Sequence, residues 1–214
     1  MKRIFPILLV VAAALVGCGK DDAYDFGQFY NDMVTFTGAD NGTARFENIG
    51  MGGEKSVLYA KIDTKSLQQG RRVLLNYVVA ENLGKDSYNV DVHGIVGAVT
   101  DTVRAGSDVD VKQRRMEQIK LRSIWRTGDY INIHCEVEYT EKARTLCVLA
   151  TKSSMSTNVA DCYLVHDTKG AQKYFWRTCY FSVYVGDTFG RCDEINLHIN
   201  DAINPDTKVY NFKK

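Results

Sequence analysis

The chain has 214 residues, 45% of them hydrophobic and 25% charged, and these fractions exclude a disordered or collagen-like chain. The length allows one large domain or two small ones. Lys and Arg number 27 against 26 Asp and Glu. A nucleic-acid-binding protein normally carries a strong basic excess, so we expect no nucleic-acid partner. The two local basic pairs, Arg71-Arg72 and Arg114-Arg115, are interpreted as solvated surface.

Residues 1–17 have the features of a secretory signal peptide. Lys2 and Arg3 give a positive start, and residues 4–16 form an uninterrupted apolar run. A membrane-spanning helix needs about 20 apolar residues, so this run is too short to span a bilayer and suits a signal peptide. The run ends at Leu15-Val16-Gly17-Cys18, which resembles the lipobox of bacterial lipoproteins. We predict cleavage before Cys18 and lipidation of its thiol; the alternative is an uncleaved signal anchor with an incidental cysteine.

Residues 18–27 are predicted to be the lipidated Cys18 followed by a polar tether. Each buried methylene contributes about 0.8 kcal/mol of membrane affinity and stable anchoring takes more than one acyl chain, so multiple acylation of Cys18 would anchor the protein durably. No Asp follows Cys18 directly, and such an Asp commonly retains lipoproteins in the inner membrane. We therefore expect the outer membrane. Lys20, Asp21 and Asp22 resemble an acidic export signal, so we expect the cell surface rather than the periplasmic face; the alternative is a generic polar tether.

Residues 28–105 alternate between apolar and polar positions, which indicates half-buried strands. The predicted strands are residues 33–37, 43–47, 56–62, 72–79 and 87–99. Turn-forming Gly, Asn and Asp residues separate them. Residues 64–69 are predicted to form a short helical turn after the third strand. Five strands with this helix suit an OB-like barrel.

Residues 106–214 are predicted to form an antiparallel β-sandwich. The clearest strand is residues 130–139, where apolar side chains alternate with Asn132, His134 and Glu136. The domain boundary is placed between residues 105 and 106, because this segment is short of apolar side chains. The predicted fold class is therefore all-β, with an N-terminal OB-like small barrel followed by a C-terminal antiparallel β-sandwich.

Five runs of sequence resemble the NigD-like family of bacterial lipoproteins. Gly70-Arg71-Arg72-Val73-Leu74-Leu75-Asn76-Tyr77 and Tyr88-Asn89-Val90-Asp91-Val92 are similar to the end of that family's N-terminal domain. Thr127-Gly128-Asp129-Tyr130-Ile131-Asn132-Ile133, Tyr163-Leu164-Val165-His166 and Phe181-Ser182-Val183-Tyr184-Val185 are similar to its C-terminal domain. The resemblance covers nearly all of residues 28–200 and implies an OB-like domain before a β-sandwich. The family takes its name from a bacteriocin-associated gene cluster and has no established activity, so it implies no catalytic residues.

The cysteines and histidines do not form a recognisable metal or redox motif. Besides Cys18 the chain has five cysteines, Cys135, Cys147, Cys162, Cys179 and Cys192. An odd number leaves at least one cysteine unpaired within a monomer. An exported protein can form disulfides. We nevertheless favour buried thiols that pack as small hydrophobic side chains. No Cys-x-x-Cys occurs and no two histidines lie within four residues, so we predict no metal and no cofactor.

No catalytic motif is present either. The sequence lacks a Gly-x-Ser-x-Gly elbow, a phosphate-binding Gly-rich loop and a Ser-x-x-Lys motif. Carboxylate pairs such as Glu136 and Glu138 could serve a glycosidase, but solvated strand faces are the favoured interpretation. We predict no catalytic residues and no enzymatic activity.

Aromatic residues in the second domain are the candidate binding residues. They are Trp125, Tyr174, Trp176, Tyr180 and Tyr184. Such side chains on a solvent face could stack on sugar rings or fill a pocket of a partner; the alternative is packing in the core. Thr102, in Asp101-Thr102-Val103, is a candidate O-glycosylation site, and the alternative is an ordinary turn.

Together these features predict a non-enzymatic binding or accessory module, anchored to the membrane through the lipid on Cys18. The expected partner is a glycan or an outer-membrane protein. One alternative is a structural or bacteriocin-associated envelope protein without a small-molecule ligand. A hydrolase with a site assembled from distant strands is the least favoured alternative.

Overall fold

The computed structural model describes residues 27–206 and 208–214. The predicted signal peptide, the lipidation site Cys18 and the predicted export signal Lys20, Asp21 and Asp22 lie outside these residues. Within the described ranges, no helix is long and apolar enough to cross a membrane.

The first domain is a closed barrel whose strands follow the order β1-β2-β3-β5-β4 around the wall. Strands β3 and β5 are parallel, and the other neighbours are antiparallel. Alternate side chains such as Phe46, Leu58 and Leu75 fill the interior, because successive side chains of a strand point to opposite faces. The predicted small barrel is confirmed. Its strands are β1 Phe29–Asp40, β2 Thr43–Ile49, β3 Lys55–Lys61, β4 Arg72–Gly84 and β5 Ser87–Gly97.

The predicted helical turn at residues 64–69 is wrong. The segment forms two turns, in which the Leu67 amide donates to the Thr64 carbonyl at 2.9 Å. The Asp63 carboxylate accepts from the Lys65 amide at 3.0 Å. A side chain that binds the local backbone in this way competes with helix formation, and so short a segment cannot offset the cost of helix nucleation.

The second domain is a sandwich of a five-stranded sheet, β14-β13-β11-β10-β7, and a four-stranded sheet, β6-β12-β9-β8. Their inner faces enclose a core that includes Ile133, Phe181 and Leu197. Helices α1 (Asp108–Gln113) and α2 (Gly186–Phe189) are short connections. The strands are β6 Val99–Thr102, β7 Arg104–Gly106, β8 Lys120–Thr127, β9 Tyr130–Glu138, β10 Thr145–Thr151, β11 Val159–Asp167, β12 Trp176–Tyr184, β13 Glu194–His198 and β14 Val209–Lys213.

The sandwich is confirmed, but its sheets are mixed rather than wholly antiparallel. Strands β6, β7 and β13 each run parallel to a neighbour, namely β12, β10 and β11. Residues 99–106 therefore belong to the sandwich, and strand pairing moves the predicted boundary at residues 105 and 106 back to about Ala98. The predicted boundary was displaced because short edge strands carry few apolar side chains. The sequence of this segment therefore resembles that of a linker.

Arg72 joins the two domains and is only 1% exposed. From the start of β4 its guanidinium donates to Ser182, Thr127 and Asn132 of the sandwich at 3.2 Å each. Its Cζ lies 4.4 Å from the ring centroid of Tyr130. Burial lowers the pKa of Arg72 to about 10, so the side chain remains charged at neutral pH. The prediction that this arginine is solvated surface is wrong, because alternation does not reveal which exterior face of a barrel meets a second domain.

Candidate functional site

The candidate site is a group of aromatic residues along β9 and β12 and on the segments where β9 ends and β12 begins. His134, Trp176 and Tyr180 lie on the outer face of the four-stranded sheet, opposite the face that carries the core residues Cys135 and Phe181. Beyond the strand ends, Tyr139 pairs with the segment that precedes β12, since its amide donates to the Phe175 carbonyl at 2.7 Å. The six residues form two neighbouring sets, with Tyr139, Tyr174 and Phe175 beyond the strand ends and His134, Trp176 and Tyr180 on the outer sheet face. Together we call them the aromatic surface.

Ring contacts hold the aromatic surface in place. His134 stacks on Tyr180 with 4.6 Å between centroids, and Tyr139 stacks on Phe175 at 4.9 Å. The Lys120 ammonium lies 4.3 Å from the Trp176 ring centroid. One face of most of these rings is therefore covered by a neighbour. Phe175 nevertheless remains 57% exposed and Tyr174 49% exposed.

Paired charges border these rings. The Lys173 ammonium lies 3.0 Å from a Glu117 carboxylate oxygen and also binds Glu138. The Arg122 guanidinium binds Glu136 at 2.5 Å, and the ammonium of Lys120 lies 3.9 Å from the same carboxylate. Ion pairs this exposed stabilise the fold by roughly 0–1 kcal/mol each. Their main consequence is a polar border whose charges are largely neutralised.

The electrostatics of this border keep Glu117 and Lys173 charged at neutral pH. Burial raises the pKa of Glu117, but hydrogen bonds from Lys173 and Thr168 outweigh burial and lower it. The hydrogen bonds to Glu138 and Glu117 raise the pKa of Lys173. Burial, together with the charge of Arg122, lowers the pKa of His134, so its ring stacks on Tyr180 as a neutral imidazole.

The five predicted aromatic residues lie in three places. Tyr174, Trp176 and Tyr180 belong to the aromatic surface. Tyr184 packs edge-on against Tyr130 at 5.5 Å, beside the domain junction. Trp125 lines a cleft of about 430 Å³ between the barrel and the sandwich. None of the five is buried, so the alternative that they belong to the core is wrong.

The interdomain cleft contains one unusual carboxylate. Asp32 accepts hydrogen bonds from the Tyr77 hydroxyl at 2.7 Å and from the Asn48 amide at 3.2 Å, both on Oδ2. Burial raises the pKa of Asp32 despite these two bonds. Glu54 and Trp125 complete the cleft walls nearby.

The remaining predicted site residues lie apart from the aromatic surface. Thr102 is exposed on edge strand β6, opposite Tyr184, so it lies in a strand rather than in a turn. All five cysteines among the described residues are buried and unpaired. Among the described residues no group of three His, Cys, Asp or Glu side chains could hold a metal.

Sequence reasoning did not select Phe175, Tyr139 or His134. Phe175 lies between Tyr174 and Trp176 in the sequence. These two predicted residues were the signal that could have identified it. His134 belongs to the aromatic surface because strand register places it opposite Tyr180. Register cannot be predicted from alternation alone. Lys120 lies over Trp176 for the same reason, through the pairing of β8 with β9.

No family model and no curated protein matches the chain. Solved structures do match it over most of its length. A protein of unknown function from Bacteroides vulgatus is 15% identical, with a TM-score of 0.68 over 87% of this chain and 90% of that chain. A NigD-like immunity protein from Bacteroides caccae is 18% identical, with a TM-score of 0.57 over 88% of this chain and 94% of that chain.

A third solved structure, from Bacteroides fragilis, is described as a candidate lipoprotein. It is 10% identical, with a TM-score of 0.58 over 87% of this chain and 96% of that chain. These likenesses show a common fold. The resemblance to NigD-like proteins is thus confirmed at the level of the two-domain β fold.

Proposed function

We propose that this chain, which shares its fold with a NigD-like immunity protein, is a lipid-anchored accessory protein of the outer membrane without enzymatic activity. It binds a protein partner through the aromatic surface and is displayed at the cell surface. The lipobox-like run that ends at Cys18 and the acidic residues that follow it support the membrane address. The solved structure described as a candidate lipoprotein has the same fold.

The exposure of Tyr174 and Phe175 is the observation on which this proposal depends. Each ring leaves about half of its surface in water, at 49% and 57%. Aromatic side chains are enriched at the centres of protein interfaces, where they act as energetic anchors within a polar rim. The paired charges of Glu136, Glu138 and Lys173 form such a rim.

The ordered state of these rings also favours binding. Tyr139 stacks on Phe175, and its centroid lies 6.3 Å from that of Tyr174. A side chain that is already held by its neighbours loses little conformational freedom when a partner covers it. The aromatic surface is therefore arranged for binding before the partner arrives.

A protein partner fits this surface better than a sugar. A sugar ring stacks on the open face of an aromatic ring, but Lys120 covers one face of Trp176 and His134 covers one face of Tyr180. The exposed edges and the projecting Tyr174 and Phe175 suit a pocket in another protein. An outer-membrane protein is the expected partner, because the anchor restricts the domain to that membrane.

Photo-crosslinking in intact cells tests this interface. A photoreactive phenylalanine analogue at position 175 should yield one discrete crosslinked species, since this ring projects into the partner. Adding Tyr174→Ser to the same chain should reduce the yield about tenfold or more, as for an interface anchor. The control is the same analogue at position 209, where the wild-type Val209 is 44% exposed on the other sheet. Equal labelling from both positions, or none from position 175, would contradict the proposal.

Association with bacteriocin protection is the second candidate function. It is favoured by the common fold with the NigD-like immunity protein from Bacteroides caccae. A strain that lacks this chain should then become more sensitive to bacteriocins, and the wild-type gene should restore resistance while Cys18→Ala should not. Unchanged sensitivity and an intact envelope in the deletion strain would exclude this role.

A further inference from the structure

The barrel carries two adjoining grooves on its outer wall, away from the aromatic surface. One is about 610 Å³ and the other about 640 Å³, and Tyr59 and Thr43 line both. Sites that bind small organic ligands commonly measure roughly 300–1,000 Å³. Because the two grooves have these walls in common, they adjoin each other and Tyr59 lies between them.

Strand register aligns five residues across these two grooves. Arg45 of β2 is opposite Gly38 of β1 and Tyr59 of β3. Tyr59 is in turn opposite Asn89 of β5, which is opposite Glu81 of β4. Directly opposite residues project from the same face of a sheet. The row therefore crosses all five strands of the barrel on its outer side.

A bulge in β1 opens one end of the row. The register shifts between Phe36 and Gly38, so the strand bends at this point. Gly38 has a φ of +138°, and a Cβ built there would meet no atom within 4 Å. The missing side chain leaves open space beside Arg45, and this space is part of the groove.

The side chains of the row suit a polyhydroxylated ligand. Tyr59 supplies a half-buried aromatic ring that lines both grooves. The Asn89 amide donates to the Glu81 carboxylate at 2.7 Å, which fixes an amide and an acid side by side. Arg45 forms no salt bridge with any described residue, so its donors remain available. Alternating donors and acceptors around an aromatic ring match the hydroxyl groups and the apolar ring face of a sugar.

We propose that the row Gly38, Arg45, Tyr59, Asn89 and Glu81 is a binding site for a saccharide chain. The sugar ring nearest the middle stacks on Tyr59, and its neighbours occupy the two grooves. Two adjoining grooves suit an extended chain rather than a single sugar. This site is separate from the aromatic surface, and its ligand does not depend on the protein partner proposed there.

A glycan array probed with the residue 19–214 chain tests this inference. Wild type should bind at least one class of glycan, and Tyr59→Ala should weaken that binding at least about tenfold. Tyr59→Phe retains the ring and should bind like wild type. Trp176→Ala, which alters only the aromatic surface, should also bind like wild type.

Thermal unfolding of each variant separates loss of the site from loss of the fold. Tyr59 lies on the outside of the barrel, so Tyr59→Ala should unfold close to the wild-type temperature. The inference is overturned if wild type binds no glycan on the array, or if folded Tyr59→Ala binds as tightly as wild type. Loss of binding in Trp176→Ala alone would place the glycan on the sandwich and also overturn it.

Discussion

Arg72 is a buried charge whose hydrogen-bond partners at the domain junction are neutral. Its guanidinium donates to hydroxyl and amide oxygens at 3.2 Å, and no described carboxylate forms a salt bridge with it. The planar guanidinium can donate hydrogen bonds to several acceptors at fixed angles, which an ammonium group cannot do. Ser182 also donates to Asn132 at 2.8 Å. One arginine therefore organises a polar network that joins the barrel to the sandwich.

Arg72→Ala should destabilise the protein by about 3 kcal/mol, because it removes several charge-assisted hydrogen bonds and leaves buried acceptors without their donor. Arg72→Lys should recover only part of this loss. Urea unfolding at neutral pH measures both. The control is Arg71→Ala, an exposed neighbour whose loss should cost less than about 0.5 kcal/mol. Equal unfolding midpoints for Arg71→Ala and Arg72→Ala would show that the junction does not depend on this guanidinium.

His166 makes folding stability depend on pH. Its ring is fully buried, Nδ1 lies 3.3 Å from the Gln118 carbonyl oxygen, and Nε2 has no partner among the described residues. Burial lowers the pKa of His166 below its ordinary value of 6.5. The unfolded chain therefore binds a proton more readily than the folded chain does.

The stability that neutral His166 contributes is complete above the unfolded pKa. It should decline as the pH falls from about 7 through 6.5 toward the lower folded pKa. His166→Gln should flatten the dependence of unfolding free energy on pH in this window. The same substitution at the exposed His93, His93→Gln, is the control. An unchanged slope in His166→Gln would refute the assignment.

At the scale of elements, alternation predicted most strands because one face of each strand is buried. Alternation failed to predict segments in which no single face of a strand is buried. The edge strands β6 and β7 have few buried side chains and resembled a linker, and the turns at residues 64–69 follow the side chain of Asp63. The aromatic surface was predicted only in part, because the pairing of His134 with Tyr180 is set by register.

The turn between β8 and β9 also packs against the barrel. Gly128 has a φ of +53°, and a Cβ there would lie 3.0 Å from Cγ2 of Ile49 in β2. Gly128→Ala should therefore cost about 1–2 kcal/mol from the left-handed backbone and more from the clash. Gly42→Ala is the control, since φ is +77° there but no atom lies within 4 Å.

Thermal unfolding should rank Gly128→Ala below Gly42→Ala in stability. Placing both substitutions in an Ile49→Ala background should remove most of this difference, because the side chain that clashes is gone. A difference that persists in that background would mean that Ile49 does not set the contact between the domains.

At the scale of the whole molecule, the proposed lipid anchor on Cys18 holds both domains through one tether. From Cys18 to Phe29 the chain advances 11 residues, which can span at most about 40 Å when fully extended. The junction at Arg72 connects the barrel with the sandwich, so one tether carries both the barrel grooves and the aromatic surface. The sequence predicted the fold class, and the membrane address stays a prediction. The junction depends on three-dimensional contacts that no local pattern encodes.

Protease treatment of intact cells tests the proposed display at the cell surface most directly. Cells carry wild type or Cys18→Ala, and lysed cells are digested in parallel to show that both domains can be cleaved. The proposal predicts that wild type is digested in intact cells, whereas Cys18→Ala is lost from the membrane fraction and stays protected. Full protection of wild type until lysis would contradict surface display and place its partners in the periplasm.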